Sequence, residues 1–287
     1  MLSKYHKKLS AIDSRIFSTQ PASIPALFKD IPLDVFAELS LQEQTEYPNI
    51  RSFLPAMAGE EIQRKCTGST GRRLLNKSVA FVNTVVNYHQ RYSEKELVRC
   101  NLLDFGCGWG RLIRLFYKYI PQAQIYGVDA WQESLDISLN LGVKANLGKT
   151  KEICTSLPFA DVTFDIAISF SVFTHLTKRV GDAALSAIRK RIDSNGLLVI
   201  TIRPVHYWRA VKHIKNLPVE DLITRHNQDG FAFFPTQPAP PNGREVTFGA
   251  ASMTLHYIEQ EWCDWKVIDS VKNQVEPFQR VVLLAPA

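Results

Sequence analysis

The sequence predicts an α/β fold, doubly wound around a mostly parallel sheet, and two stretches carry that expectation. In the first, Leu102-Leu103-Asp104-Phe105-Gly106-Cys107-Gly108-Trp109-Gly110-Arg111, a short apolar run passes into a glycine-rich turn; Leu112, Ile113, Phe116, Tyr117 and Ile120 then fall at helical spacing, closed by Pro121. The order is strand, turn, helix. In the second, Gln124 to Asp129 reads as another strand that ends in an acid, 23 residues beyond Gly106. Glycines at 106, 108 and 110 let the backbone pass close to a ligand, and amides at a helix N-terminus can accept its polar end.

The chain has 287 residues, 45% of them apolar, which suffices for one large α/β core with added segments rather than a second full domain. A formal charge of +6 and a pI near 9.0 allow an anionic partner without demanding one, since Lys and Arg are spread along the chain. Five cysteines (Cys66, Cys100, Cys107, Cys154, Cys263) are odd in number and form no CxxC pair. That argues against a disulfide framework and a zinc site, and for a reducing, cytoplasmic setting. The opening residues lack an apolar core of signal-peptide length, and no apolar run has the roughly 18 residues of a membrane span, so a soluble protein is expected.

Residues 1–95 read as an N-terminal helical extension, with proline at 21, 25, 32, 48 and 55 between short apolar groups. Arg64, Lys65, Arg72, Arg73 and Lys77 surround Thr67-Gly68-Ser69-Thr70-Gly71 with no acid among them. Two readings stand: a solvated loop and helix start, or a flexible cover over a ligand bearing carboxylate or phosphate. Leu74, Leu75, Val79, Val82, Val85, Val86 and His89 then share one helical stripe.

Spacing separates two nucleotide-binding readings of the glycine turn. A nicotinamide fingerprint needs GxGxxG, but position 111 is Arg; the pattern here is GxGxG preceded by Asp104 and followed by the strand-end Asp129, a carboxylate suited to both hydroxyls of a ribose. With these residues in view, the sequence resembles the class I S-adenosylmethionine-dependent methyltransferases. The resemblance continues in order through Leu157 to Ile168 (approach to the fourth strand), Ser171-Val172-Phe173-Thr174-His175-Leu176 and Ile188 to Ile200 (helix, turn and fifth strand), covering about residues 100–203.

The resemblance implies a Rossmann-like, seven-stranded sheet with an antiparallel last strand, over residues 96–287, with a lid-like insertion after the fifth strand at about 204–250. It implies S-adenosylmethionine as cofactor, held by Asp104, Gly106, Gly108, Gly110, Asp129, Ala130 and Trp131. Many relatives place an acid where this chain has Ile153, so Ile153 or Cys154 is expected to contribute packing or a backbone amide there, and Ser169 closes the fourth strand beside them.

Beyond the fifth strand, Trp208 to Leu217 and Val219 to His226 read as helical, Phe231 to Gly243 as turn-rich, and Met253 to Trp262 as a helix. Trp265 to Asp269 and Gln279 to Leu284 read as a final hairpin. Methyl transfer to a hydroxyl calls for a base, and histidine suits neutral pH. His175, His206 and His256 are the candidates, His175 foremost, with Arg203 and Tyr207 as substrate contacts. Three absences narrow the reaction. There is no (Asn/Asp)-Pro-Pro-(Tyr/Phe) set after the fourth strand, no Pro-Cys nucleophile, and no acid placed for a catechol-type metal, so no metal is expected.

The leading expectation is O-methylation of a hydroxyl on a small or glycan-like substrate. N-methylation of a small amine, RNA methylation (from the basic cluster) and a non-enzymatic interaction role are the alternatives. Oligomeric state is left open.

Overall fold

The computed structural model describes residues 2–41, 45–236, 245–273 and 275–287. They fall into two compact units, residues 1–149 and 150–287.

The first unit begins with short helices: α1 (His6–Arg15), α2 (Ile24–Leu27), α3 (Leu33–Glu38), α4 (Pro48–Phe53) and α5 (Glu60–Thr67). The long α6 (Gly71–Tyr92) follows. Of its predicted stripe, Leu74, Leu75, Val82, Val85, Val86 and His89 are buried and Val79 is partly buried. Strand β1 (Leu102–Phe105) is buried throughout and leads through the glycine turn into α7 (Ile113–Phe116). Only four residues of the expected 112–120 helix are α-helical; the chain then tightens, with the Tyr119 and Ile120 amides both donating to the Phe116 carbonyl. Strands β2 (Ile125–Asp129) and β3 (Asn146–Lys149) flank α8 (Gln132–Asn140), and β1 pairs parallel with β2, which pairs parallel with β3.

Two buried cations tie the N-terminal extension to α7 and the turn after it. Arg114, 2% exposed, donates to the carbonyls of Pro55 (3.3 Å) and Ala56 (2.7 Å). Its guanidinium also lies over the Trp109 ring, 4.8 Å from the centroid. Lys118 donates to the Phe28 carbonyl at 2.7 Å. Burial pushes Arg114 down to about 9 and Lys118 to about 8. Trp109 packs with Ala58 and Leu74, so the indole inside the glycine turn is a structural contact with the extension.

The second unit holds β4 (Phe164–Ser169), α9 (Lys178–Arg189), β5 (Ile192–Ile202), α10 (Tyr207–Ala210), α11 (Val219–Asp229), β6 (Phe231–Pro235), β7 (Gly249–Met253), α12 (Leu255–Glu261), β8 (Trp265–Lys272) and β9 (Arg280–Pro286). Thr177 caps α9 by accepting the Val180 amide, and Thr254 caps α12 by accepting the Tyr257 amide. Strand β4 runs parallel to β5, β5 antiparallel to β9, and β9 antiparallel to β8. The seven-stranded sheet has the order β3-β2-β1-β4-β5-β9-β8, a Rossmann-like doubly wound arrangement.

The chain after β5 differs from expectation in three places. The helix expected from Trp208 to Leu217 is confined to α10, because Val211 turns extended. Phe231 to Pro235, read as the start of a turn-rich stretch, is strand β6, paired antiparallel with β7. Residues 237–243 of that stretch lie outside the described residues. Met253 closes β7, and the helix expected from it starts two residues later behind the Thr254 cap. Trp208 and Ser252 are fully buried; the indole N–H donates to Ser252 Oγ at 2.7 Å, and that hydroxyl is hydrogen-bonded to His226 Nδ1 at 2.8 Å. Tyr207, Leu222, Ala232 and Ala250 pack around them.

Replacing Arg114 by Met keeps the bulk but leaves the Pro55 and Ala56 carbonyls without their donor. Equilibrium urea unfolding followed by circular dichroism is expected to show a loss of about 3 kcal/mol. A change below about 0.5 kcal/mol would show that the buried cation is not an anchor.

Candidate functional site

Three glycines shape the turn after β1, with φ of 79° at Gly106, 55° at Gly108 and 77° at Gly110. At Gly110 a Cβ would meet Val143 Cγ2 at 2.7 Å and Ser138 Oγ at 2.9 Å, so a side chain is excluded by both backbone and packing. At Gly108 a Cβ would meet nothing within 4 Å, which leaves open space above the turn. The Gly106 and Cys107 amides both donate to the Val128 carbonyl, at 2.8 and 3.0 Å, fastening the turn to the end of β2.

Asp129 completes that connection from its side chain. One carboxylate oxygen accepts the Gly108 amide at 2.9 Å and the other accepts the Trp131 amide at 2.9 Å. Burial raises its pKa, opposed by the backbone donors at Trp131, Gly108 and Ala130. Each oxygen keeps a lone pair for a further donor. Asp104, on β1, is 2% exposed, and its Oδ2 has no hydrogen-bond partner. Burial raises its carboxyl to about 7, with Arg111 opposing and Asp129 reinforcing the shift. Ala130 is partly buried, and Trp131, just before α8, is 51% exposed. An orphaned buried carboxylate oxygen, an open glycine turn and a half-satisfied diol acceptor fit a cationic, ribose-bearing cofactor.

The end of α5 runs close to this group. Cys66 lies in the fields of Lys65, Asp129, Glu133 and Arg111, and Lys65 approaches Glu133 of α8 at 3.5 Å. Three of the five basic residues of the cluster pair with acids while their own side chains stay exposed. Arg72 forms two bonds to Glu38, at 2.5 and 2.6 Å, and Arg64 pairs with Glu60 at 3.5 Å.

In the second unit, His175 and Arg203 meet beyond the carboxyl ends of β4 and β5. Arg203 donates to His175 Nε2 at 3.0 Å and to the Thr174 carbonyl, and lies 4.2 Å from the Tyr207 ring centroid. His175 Nδ1 is 2.7 Å from the Gly249 carbonyl, and its ring stacks on Phe248 at 4.8 Å. A guanidinium only donates and a carbonyl only accepts, so the tautomer is dictated: Nδ1 carries the proton and Nε2 the engaged lone pair. Burial, then the Arg203 charge, pushes the imidazole down to about 3. His175 is therefore neutral with both ring nitrogens engaged.

The other histidines do not share these surroundings. His206 is exposed and donates to the Pro277 carbonyl at 3.1 Å, and His256 is exposed on α12. Ile153 is partly buried; Cys154 is buried, its thiol pushed up by burial; Ser169 is fully buried at the end of β4.

Sequence reasoning missed what holds the loop after β4. Ser171 sits at φ 62°, a strained value for a residue with a side chain. Its amide donates to Thr201 Oγ1 at 2.7 Å, and its hydroxyl accepts from Gln279 Nε2 at 2.9 Å. The Phe248 ring and the Gly249 carbonyl arrive from some 75 residues downstream, and no local pattern around His175 signals them. Among the described residues, no group of three or more His, Cys, Asp or Glu side chains is arranged to hold a metal, and no helix is long and apolar enough to cross a membrane.

Comparison with known proteins agrees with this arrangement. Residues 103–200 match the family model described as a methyltransferase domain. An uncharacterised methyltransferase of Schizosaccharomyces pombe is 28% identical over 179 residues, 56% of this chain and 60% of that protein. The malonyl-[acyl-carrier protein] O-methyltransferase of Halalkalibacterium halodurans is 31% identical over 105 residues, 35% of this chain and 38% of that protein. The chain thus spans less than two thirds of the length of these curated relatives. Among solved structures, an S-adenosylmethionine-dependent methyltransferase from Clostridium acetobutylicum shares the fold, with a TM-score of 0.52 at 14% identity, over 79% of this chain and 96% of that one. The methyltransferase-domain match thus falls on residues 103–200, and the strand order agrees with the fold of the S-adenosylmethionine-dependent methyltransferase from Clostridium acetobutylicum.

Proposed function

We propose that the chain transfers a methyl group from S-adenosylmethionine to an oxygen of a small-molecule acceptor. The observation that carries the reading is the Asp129 carboxylate, held by the Gly108 and Trp131 amides beside the orphaned Asp104 oxygen. In this reading Asp129 takes the ribose hydroxyls and Asp104 faces the cofactor's ammonium. Gly106, Gly108 and Gly110 keep the turn clear of side chains, and Ala130 and the exposed Trp131 lie against the adenine. Ile153, Cys154 and Ser169 are proposed as cofactor contacts on the family resemblance alone. When bound, the cofactor supplies an electrophilic methyl carbon on a sulfonium, and the residues' task is to hold the acceptor in line with it. Positioning of this kind is worth about 7 to 11 kcal/mol.

The second unit, with Arg203 and Tyr207, is proposed to carry the acceptor. Oxygen is favoured by the O-methyltransferase among the relatives. Arg64, Lys65 and Arg72 each have a carboxylate neighbour within the chain, which lowers the local positive field offered to RNA. The α5 end beside Asp129 supports a covering role for the extension. A cytoplasmic setting is proposed on the five free thiols.

Isothermal titration of the Asp129→Ala variant is expected to show S-adenosylmethionine binding weakened by about a hundredfold or more; affinity equal to the parent chain would remove the cofactor assignment. A second expectation follows from Asp104, whose folded carboxyl titrates near 7. Its charged form, the one that attracts an ammonium, grows as pH rises. Affinity should therefore tighten about fivefold to tenfold between roughly pH 6 and 7.5, and Asp104→Asn should bind more weakly with a flat profile. A pH-independent parent affinity would take Asp104 out of the ammonium contact.

A further inference from the structure

We infer that the outer face of α1, together with Phe17 just beyond its end, docks the chain reversibly on an anionic lipid bilayer. The face lies wholly within the first unit and needs nothing from the methyltransferase reading. Its helix has two sides. Leu9 and Ile12, with Leu2 before them and Ile16 after, are buried in the unit. Lys7, Ala11 and Arg15 recur at i, i+4 and i+8, with Lys8 beside them and Lys4 one turn earlier, and all five are exposed. Residues 1–20 hold four Lys or Arg and one acid, hence a formal +3, against +6 for all 287 residues. Half of the excess charge thus sits on a fifteenth of the chain. The acids nearby do little to cancel it. Asp13 is turned into the fold, where its oxygens accept the Ile50 amide at 2.8 Å and the Asn49 side chain at 3.3 Å, and Glu46 is bonded to Tyr47. Among the described residues, the one ion pair on this face is Lys8 with Asp30, at 3.6 Å between largely exposed side chains.

The second observation is Phe17. At 62% it is the most exposed large apolar side chain among the described residues, while Ile16 beside it is 1% exposed. The turn therefore buries one of two adjacent apolar residues and presents the other. It is a bonded turn, since the Ser18 and Thr19 hydroxyls both donate to the Arg15 carbonyl at 2.9 Å. Cations alone would suit any polyanion. An exposed aromatic beside them suits a surface with anionic headgroups over an apolar layer, where Lys and Arg stay among the headgroups and the ring enters the boundary. Three of the four cations are Lys, a point charge that headgroups attract without geometric demand, whereas phosphate recognition in nucleic acids favours the Arg fork. Four cations and one ring give peripheral docking, not a permanent anchor.

The test is co-sedimentation of the full chain with vesicles of phosphatidylcholine alone, and of phosphatidylcholine with about 30% phosphatidylserine. Binding to the mixed vesicles and not to the neutral ones is expected, weakening about tenfold or more as salt rises from about 0.1 to 0.5 M. Lys7→Glu combined with Arg15→Glu should weaken it about tenfold or more at low salt. Phe17→Ser should weaken it about fivefold and leave the salt response unchanged. All three side chains are exposed, so melting temperatures should match that of the parent chain. Equal binding to neutral and mixed vesicles, equal binding by the charge-reversed variant, or no vesicle binding at all overturns the proposal. Binding untouched by Phe17→Ser overturns the part given to the ring, and with it the assignment to a membrane. Affinity for a single-stranded RNA that the charge reversal removes, with vesicles left unbound, gives the face to nucleic acid and overturns the proposal as well.

Discussion

The Asp129 side chain joins two backbone segments, the turn after β1 and the turn after β2. Its oxygens hold the Gly108 amide on the turn after β1 and the Trp131 amide on the turn after β2, so the two strand exits share one carboxylate. The rest of the first unit supports that junction. Val128 accepts two amides just beneath it, Gly110 lets Val143 and Ser138 close in on the turn, and Trp109 fills the space toward the N-terminal extension. A buried carboxylate is costly unless its charge is met by hydrogen bonds. At Asp129 backbone donors meet it; at Asp104 one oxygen is left unmet. That contrast separates a carboxylate that organises the turn from one with an oxygen left unpartnered.

Attachment of the N-terminal extension relies on cations in an unexpected place. The basic residues noticed between 64 and 77 are engaged on the near surface, whereas Arg114 and Lys118, inside an apolar helical pattern, reach the carbonyls of residues 28, 55 and 56. Both lie in the segment that follows the glycine turn. The extension is thus fastened to the region that shapes the candidate cofactor site, and α5 runs beside Asp129 as a consequence.

The two halves of the candidate site differed in legibility for a physical reason. Asp104, the glycines and Asp129 were readable because a turn that exposes backbone needs particular residue types at fixed spacing. Strands β1, β2, β8 and β9 were readable from short apolar runs, and β4 and β5 from the family resemblance. The fault at β6 has the opposite origin. Phe231 to Pro235 pairs with Gly249 to Met253 across an intervening segment, and nothing local distinguishes that strand from an aromatic turn. His175 was found as a residue but not as a chemical state. Its tautomer depends on Arg203 and Gly249, 28 and 74 residues away, and no spacing rule encodes such a pair. Arg114 was hidden for the same reason, since its partners lie 58 and 59 residues upstream.

The central claim is that the turn closed by Asp129 is where S-adenosylmethionine or its product binds. Amide resonances of an isotopically labelled full chain, followed during titration with S-adenosylhomocysteine, address it directly. The account expects the Gly108 and Trp131 amides to shift with saturation and with a common dissociation constant. Saturable binding that leaves both resonances in place, with shifts confined elsewhere, would contradict it.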